Sequence, residues 1–155
     1  MSFSLRTLVA LAAIPLALVS ITACTSTVAL EPAADSNNPA CAAVTVRLPD
    51  EIGGNQKRET NAQATGAWGN PSAVLLRCGL PAVEASTLLC VTAGGVDWLV
   101  DDTQKPSYRF ISFGRKPAAE VIVDSKKISG VTALDALGPA VQQLPSIRSC
   151  EEPTK

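Results

Sequence analysis

Leu88-Leu89-Cys90-Val91-Thr92-Ala93-Gly94-Gly95-Val96-Asp97-Trp98-Leu99-Val100 is the stretch that decides how this chain folds. Two apolar runs, Leu88 to Thr92 and Val96 to Val100, flank Gly94-Gly95, and a glycine pair between β-prone runs is the composition of a two-residue hairpin turn. The runs are therefore expected to be adjacent antiparallel strands. Consecutive strand side chains point to opposite faces, so Asp97 and Trp98 cannot both face the core, and the large apolar Trp98 is the one expected inside.

Further strands are expected on both sides of this hairpin. Ala73 to Cys78 is apolar in the manner of a buried strand, Tyr108 to Phe113 alternates with Tyr108, Phe110 and Ser112 on one face, and Ala119 to Val123 supplies another. Residues 50 to 66 are polar, contain Gly53-Gly54 and read as a long surface loop. Ahead of the sheet, Asn38 caps a helix with Pro39 in its first turn and Cys41, Val44 and Leu48 at helical spacing. After the sheet, Thr132 caps a second helix with Asp135 at its third position; Leu134, Leu137, Val141 and Leu144 form one stripe, and Gly138-Pro139 bends or restarts it. The expected fold class is α+β: a single domain with an antiparallel meander of four to five strands and an N-terminal and a C-terminal helix packed on one face.

Residues 1–23 have the three parts of an export signal: a short start with Arg6, an apolar run from Leu8 to Val19, and small residues before Cys24. The run is about a dozen residues against the roughly 20 of a spanning helix. Pro15 interrupts it, and Cys24, Thr25, Ser26 and Thr27 are a poor extension. Ile21-Thr22-Ala23-Cys24 resembles a bacterial lipobox, which implies cleavage before Cys24 and acylation of Cys24 on its sulfur and new amino terminus. Two or three acyl chains, at about 0.8 kcal/mol per buried methylene, anchor a protein durably where one does not. The organisation that follows is a lipoprotein-type signal peptide over 1–23, a flexible tether over 24–37, one domain over 38–150 and a tail over 151–155. The expected location is the extracytoplasmic side of the cell membrane, with the membrane itself a partner through the lipid.

With 13 basic and 14 acidic side chains and no basic run, nucleic acid and anionic lipid surfaces are not expected partners. Setting Cys24 aside leaves Cys41, Cys78, Cys90 and Cys150, an even number in an exported chain, and two disulfides are expected in one of three connectivities. No pair has the C-x-x-C spacing of a zinc or redox site and the sequence contains no histidine, so neither a metal nor another cofactor is expected.

The missing histidine also removes Ser-His-Asp and Cys-His activation of a nucleophile, and Ser125-Lys126 lacks the turn and oxyanion context of a Ser-Lys dyad. Asp97 beside Trp98, with Arg77, Tyr108 and Arg109 from neighbouring strands, would make a polar cluster on the open sheet face able to hold a carboxylate or sugar. The structural alternative pairs Asp97 with an arginine across strands and leaves Trp98 in the core. Trp68-Gly69-Asn70-Pro71 is either a binding lip or a hydrophobic plug closing the end of a sheet. Trp68, Arg77, Asp97, Trp98, Tyr108 and Arg109 are thus the candidate ligand-binding residues. Asp101-Asp102 lacks the rest of a calcium loop and reads as a solvated turn.

Asn38-Pro39-Ala40-Cys41, Ala67-Trp68-Gly69-Asn70-Pro71, Val74-Leu75-Leu76-Arg77-Cys78-Gly79 and Gly95-Val96-Asp97-Trp98 stand in an order that resembles domain of unknown function 3515, a family of small exported actinobacterial proteins. The resemblance spans roughly Leu30 to Leu144. It implies a fold and a location, since the family has no established activity, and it implies a bridge between Cys41 and Cys78 that leaves Cys90 with Cys150. The family usually has Asp where this chain has Asn70, which weighs against essential chemistry in that loop. The expectation is a non-catalytic envelope lipoprotein that binds an envelope protein or cell-wall component. The alternative is a small carboxylate- or sugar-handling enzyme using Asp97 with Arg77 or Arg109.

Overall fold

A computed structural model of the chain describes residues 26–150. The expected export leader, the acylation site Cys24 and the tail over 151–155 lie outside the described residues. In chain order the elements are α1 (Pro39–Thr45), β1 (Glu51–Ile52), β2 (Asn55–Arg58), β3 (Thr65–Trp68), β4 (Val74–Leu80), β5 (Leu89–Ala93), β6 (Val96–Gln104), β7 (Ser107–Ser112), β8 (Ala118–Asp124) and α2 (Gly130–Val141). Among the described residues these make one antiparallel sheet of eight strands, in the order β1-β2-β3-β4-β8-β7-β6-β5. The class is α+β, as expected.

The sheet has eight strands where four to five were expected: β1 and β2 lie wholly in residues 50 to 66, read as loop, and β3 begins there. Gly53 and Gly54 both have positive φ and turn β1 into β2, the device that Gly94 and Gly95 use between β5 and β6. The first hairpin is hidden in the sequence because it forms an outer edge: Glu51, Gln56 and Lys57 are exposed and only Ile52 enters the core. A short edge strand gives almost no alternation to read.

The meander holds for β5 through β8 and fails at β4, which pairs with β8 instead of β5. Pro81 follows β4 directly and no hairpin turn lies between Leu80 and Leu89. Residues 81–88 cross the face of the sheet away from the helices. There Leu80 and Val83 pack on Leu99, Ile111, Phe113 and Ala118, and Gly114 N donates to Val83 O at 3.1 Å. β8 can take the centre because nearly all of it is buried on both faces.

Asn38 caps α1 as expected, its side chain accepting from Ala40 N, and Pro39 opens the helix. The helix nevertheless stands inside the chain and not at an N-terminal end, because the segment before it also packs on the sheet. Val28 N donates to Glu59 O, Leu30 N to Asn61 Oδ1 and Asp35 N to Gly79 O, while Ala33 and Ser36 are buried. Residues 26–37, expected as a free tether, thus lie against the domain; backbone groups at Glu59 and Gly79 supply partners that composition does not reveal. α2 is capped by Ser129, whose hydroxyl accepts from Thr132 N, and not by Thr132, and it runs through Pro139 to Val141.

Both helices share one core with the sheet. Cys41 and Val44 of α1 and Ala133, Leu134, Leu137 and Val141 of α2 join Trp68, Val74, Leu76, Trp98, Val121 and Val123. α2 also meets both edges of the sheet: Thr132, with Ile128 just ahead of the helix, packs on Gly53, and Gly138 packs on Gly94. The sheet therefore curves around this helix.

Candidate functional site

The charged residues gather on the sheet face away from the helices. Ala119, Val121 and Val123 of β8 enter the core, so Glu120 and Ile122 face the other way. Arg77 on β4 stands opposite Glu120, and Arg109 on β7 stands opposite Ile122, diagonal to Glu120. Arg77 Nε donates to Glu120 Oε1 at 2.7 Å, and Arg109 Nε donates to Glu120 Oε2. The carboxylate is only 3% exposed, whereas the two arginines are 36% and 39% exposed. One buried acid thus fixes two half-exposed guanidiniums, one on each oxygen.

Asp97 does not join this cluster. Its Oδ1 accepts from Thr92 Oγ1 at 2.6 Å and its Oδ2 from Cys150 N at 2.8 Å, so it clamps the C-terminal segment to the hairpin. The cross-strand ion pair expected between Asp97 and an arginine is absent among the described residues, because Glu120 holds both candidates. Tyr108 is on the helix face, stacked with Phe110 at 6.3 Å, one residue and therefore one face away from Arg109. Trp98 is fully buried on that same face, with Nε1 donating to Ala93 O. Trp68 is also fully buried, its Nε1 donating to Pro49 O at 2.8 Å, which makes it a plug and not a lip. Of the six candidates, only Arg77 and Arg109 are brought together at the surface.

Asp101 lies within β6, opposite Arg109, and the Thr103 hydroxyl and then the Thr103 amide donate to it; they hold its carboxyl below the ordinary range, with a smaller contribution from Arg109. Asp101 and Asp102, expected in a solvated turn, thus stand within the strand at a bulge in its pairing with β7, and the turn follows at Lys105-Pro106. The four domain cysteines form two bridges, Cys41 to Cys78 and Cys90 to Cys150, with Cα separations of 5.6 and 6.1 Å. The first ties α1 to β4 and the second ties the C-terminal segment to β5.

On the helix face, a cavity of about 440 Å³ opens between α2 and strands β5 to β7. Val91, Val100, Tyr108, Phe110, Val131 and Leu134 line it, and Asp135 is the charged residue at its wall. Smaller hollows of about 280 and 250 Å³ lie on the opposite face, one beside Arg77 and Glu120, the other beside Arg109.

A family model described as a protein of unknown function, DUF3515, matches residues 3–148. The chain belongs to the DUF3515 family. No curated protein and no solved structure matches it. Within this DUF3515 domain the residue that sequence reasoning missed is Glu120. Its signal was present as the one acid inside Ala118 to Val123, where alternation places it on the face opposite the core. Glu120→Gln is expected to keep the shape but lose the charge that both arginines share. Discounted for the exposure of those arginines, the loss is about 1 kcal/mol, read from the urea midpoint. No change in the midpoint would show the cluster to be energetically idle.

Proposed function

We propose that this protein is a membrane-anchored cell-envelope lipoprotein, held through acylated Cys24 on the outer face of the plasma membrane. Its folded part is a non-catalytic binding or accessory module for an envelope protein or cell-wall component. The observation that carries the binding reading is the engagement of the carboxylates of the candidate cluster, Glu120 beside the two arginines and Asp97 on β6. Both oxygens of Glu120 hold arginines, and both oxygens of Asp97 hold Thr92 and Cys150. A general acid or base must reach a substrate proton with an available oxygen, and these oxygens are tied into the scaffold.

The anchor is supported by the lipobox pattern and by two disulfides, which persist in oxidising compartments. Among the described residues no helix is long and apolar enough to cross a membrane. Cys24→Ala is expected to move the protein from the membrane fraction to the soluble fraction, with mass spectrometry of the wild type giving a chain that starts at an acylated Cys24. Full retention of the variant at the membrane would overturn the anchor. The binding reading is tested by crosslinking the native anchored protein and identifying what it captures. A turnover activity abolished by Asp97→Asn in a folded variant would replace it with an enzyme.

A further inference from the structure

We infer that the β5 edge and α2 form a groove for an extended peptide segment, which adds to the sheet as a further antiparallel strand, its alternate apolar side chains entering the cavity beside α2 and a basic group at its N-terminal end meeting Asp135. The inference deepens the binding reading above and rests on it.

Three observations carry it. First, β5 is a sheet edge whose outer backbone row is open among the described residues. Its ladder partner is β6, and its residues make no other backbone hydrogen bonds among the described residues, so one row of N–H and C=O groups faces outward. Edge strands in stable proteins are blunted by charges, proline, bulges or shortness. β1, at the other edge, is two residues long and carries an exposed glutamate. β5 is five residues, Leu-Cys-Val-Thr-Ala, without a charge or a proline, and its Leu89 is 68% exposed.

Second, the apolar cavity lies on the helix face beside this edge, with Val91 and Ala93 of β5 on one wall and Val131 and Leu134 of α2 on the other. At about 440 Å³ it falls within the roughly 300–1,000 Å³ of small-ligand sites. A strand added at β5 would send every second side chain to that face, because strand side chains alternate. This is how strand addition combines backbone hydrogen bonds for affinity with pockets for alternate side chains.

Third, the charge at the groove selects a direction. Asp135 Oδ1 accepts from Gly94 N at 2.8 Å, which places the carboxylate at the C-terminal end of β5, and no salt bridge to Asp135 is formed among the described residues. An antiparallel partner begins at that end, so its amino terminus or a basic residue there is the complementary group.

The test uses the full-length protein in detergent and a short synthetic peptide that alternates valine and threonine behind an N-terminal lysine. Binding is followed by tryptophan fluorescence, since Trp98 pairs with Val91 and donates to Ala93 O. Saturable binding is expected, with loss of at least tenfold in affinity when alternate peptide amides are N-methylated. Val91→Lys should weaken binding as strongly, and Leu89→Lys, at an exposed position, takes its place should Val91→Lys lower the melting temperature. Asp135→Asn keeps an oxygen for Gly94 N and should weaken the lysine peptide by about two- to fivefold, leaving an acetylated, lysine-free peptide unaffected. Absence of saturable binding, binding indifferent to N-methylation, binding of a fatty acid in place of the peptide, or closure of the edge by a second copy in sedimentation would each overturn the inference. Capture of an envelope partner by the native protein is a separate readout, so failure of the peptide leaves the broader binding reading standing.

Discussion

Trp98→Ala is expected to lower stability by about 3–5 kcal/mol, the usual range for truncating a large buried aromatic. Trp98 is fully buried on the sheet's helix face, one strand in from the β5 edge, and its ring nitrogen donates to Ala93 O. The substitution therefore removes packing and also leaves a partly buried carbonyl without its donor. Domains of this size are stable by about 5–15 kcal/mol in total, so a large share of the fold's stability goes with one side chain. Paired urea melts with Asp97→Asn make the result specific. Asparagine retains one acceptor oxygen for Thr92 or Cys150 N but not both, and about 1 kcal/mol is expected to be lost. Equal losses in the two variants would contradict the assignment of neighbouring residues to opposite faces.

Gly138→Ala should destabilise by the upper part of the roughly 1–3 kcal/mol typical of overpacking, or more. A methyl at Gly138 would stand 2.1 Å from Gly94 O. The turn cannot retreat easily, because Asp135 accepts from Gly94 N and Gln142 Nε2 donates to Gly94 O at 2.7 Å. The sign is informative in itself: alanine favours a helix interior over glycine by about 1 kcal/mol, so a helix free of the turn would gain stability from the same change. A raised urea midpoint would mean that α2 and the β5–β6 turn are not in backbone contact.

Wherever local chemistry dictates the local structure, the sequence was a sufficient guide. Gly94-Gly95, the Asn38-Pro39 helix start and the apolar runs of β4, β6 and β8 each carry their own geometry. Gly53-Gly54 carries the same turn, but its flanking strands are polar and short, so no period marks them. The position of β4 beside β8 depends on pairing across more than forty residues, as in Arg77 opposite Glu120, and nothing local encodes it. The candidate site shows the same division. Alternation separated Asp97 from Trp98 correctly, whereas the partners of Asp97 and the arginines were set by which strands became neighbours. Glu120 lies between the two arginine-bearing strands, and Cys150 N reaches Asp97 from fifty-three residues away. The pairing of the cysteines came from the family resemblance; spacing alone left three choices open.

The central place of β8 also sets when this domain can assemble. Strands β1 to β4 and β5 to β7 form two half-sheets, and β8 supplies the ladder between them. A growing chain that ends before Ala118 has no strand to join those halves, and α2, which fills the concave side, follows later still. Pairings this distant in sequence form slowly. The polypeptide therefore stays short of its native state until nearly all of it has been made.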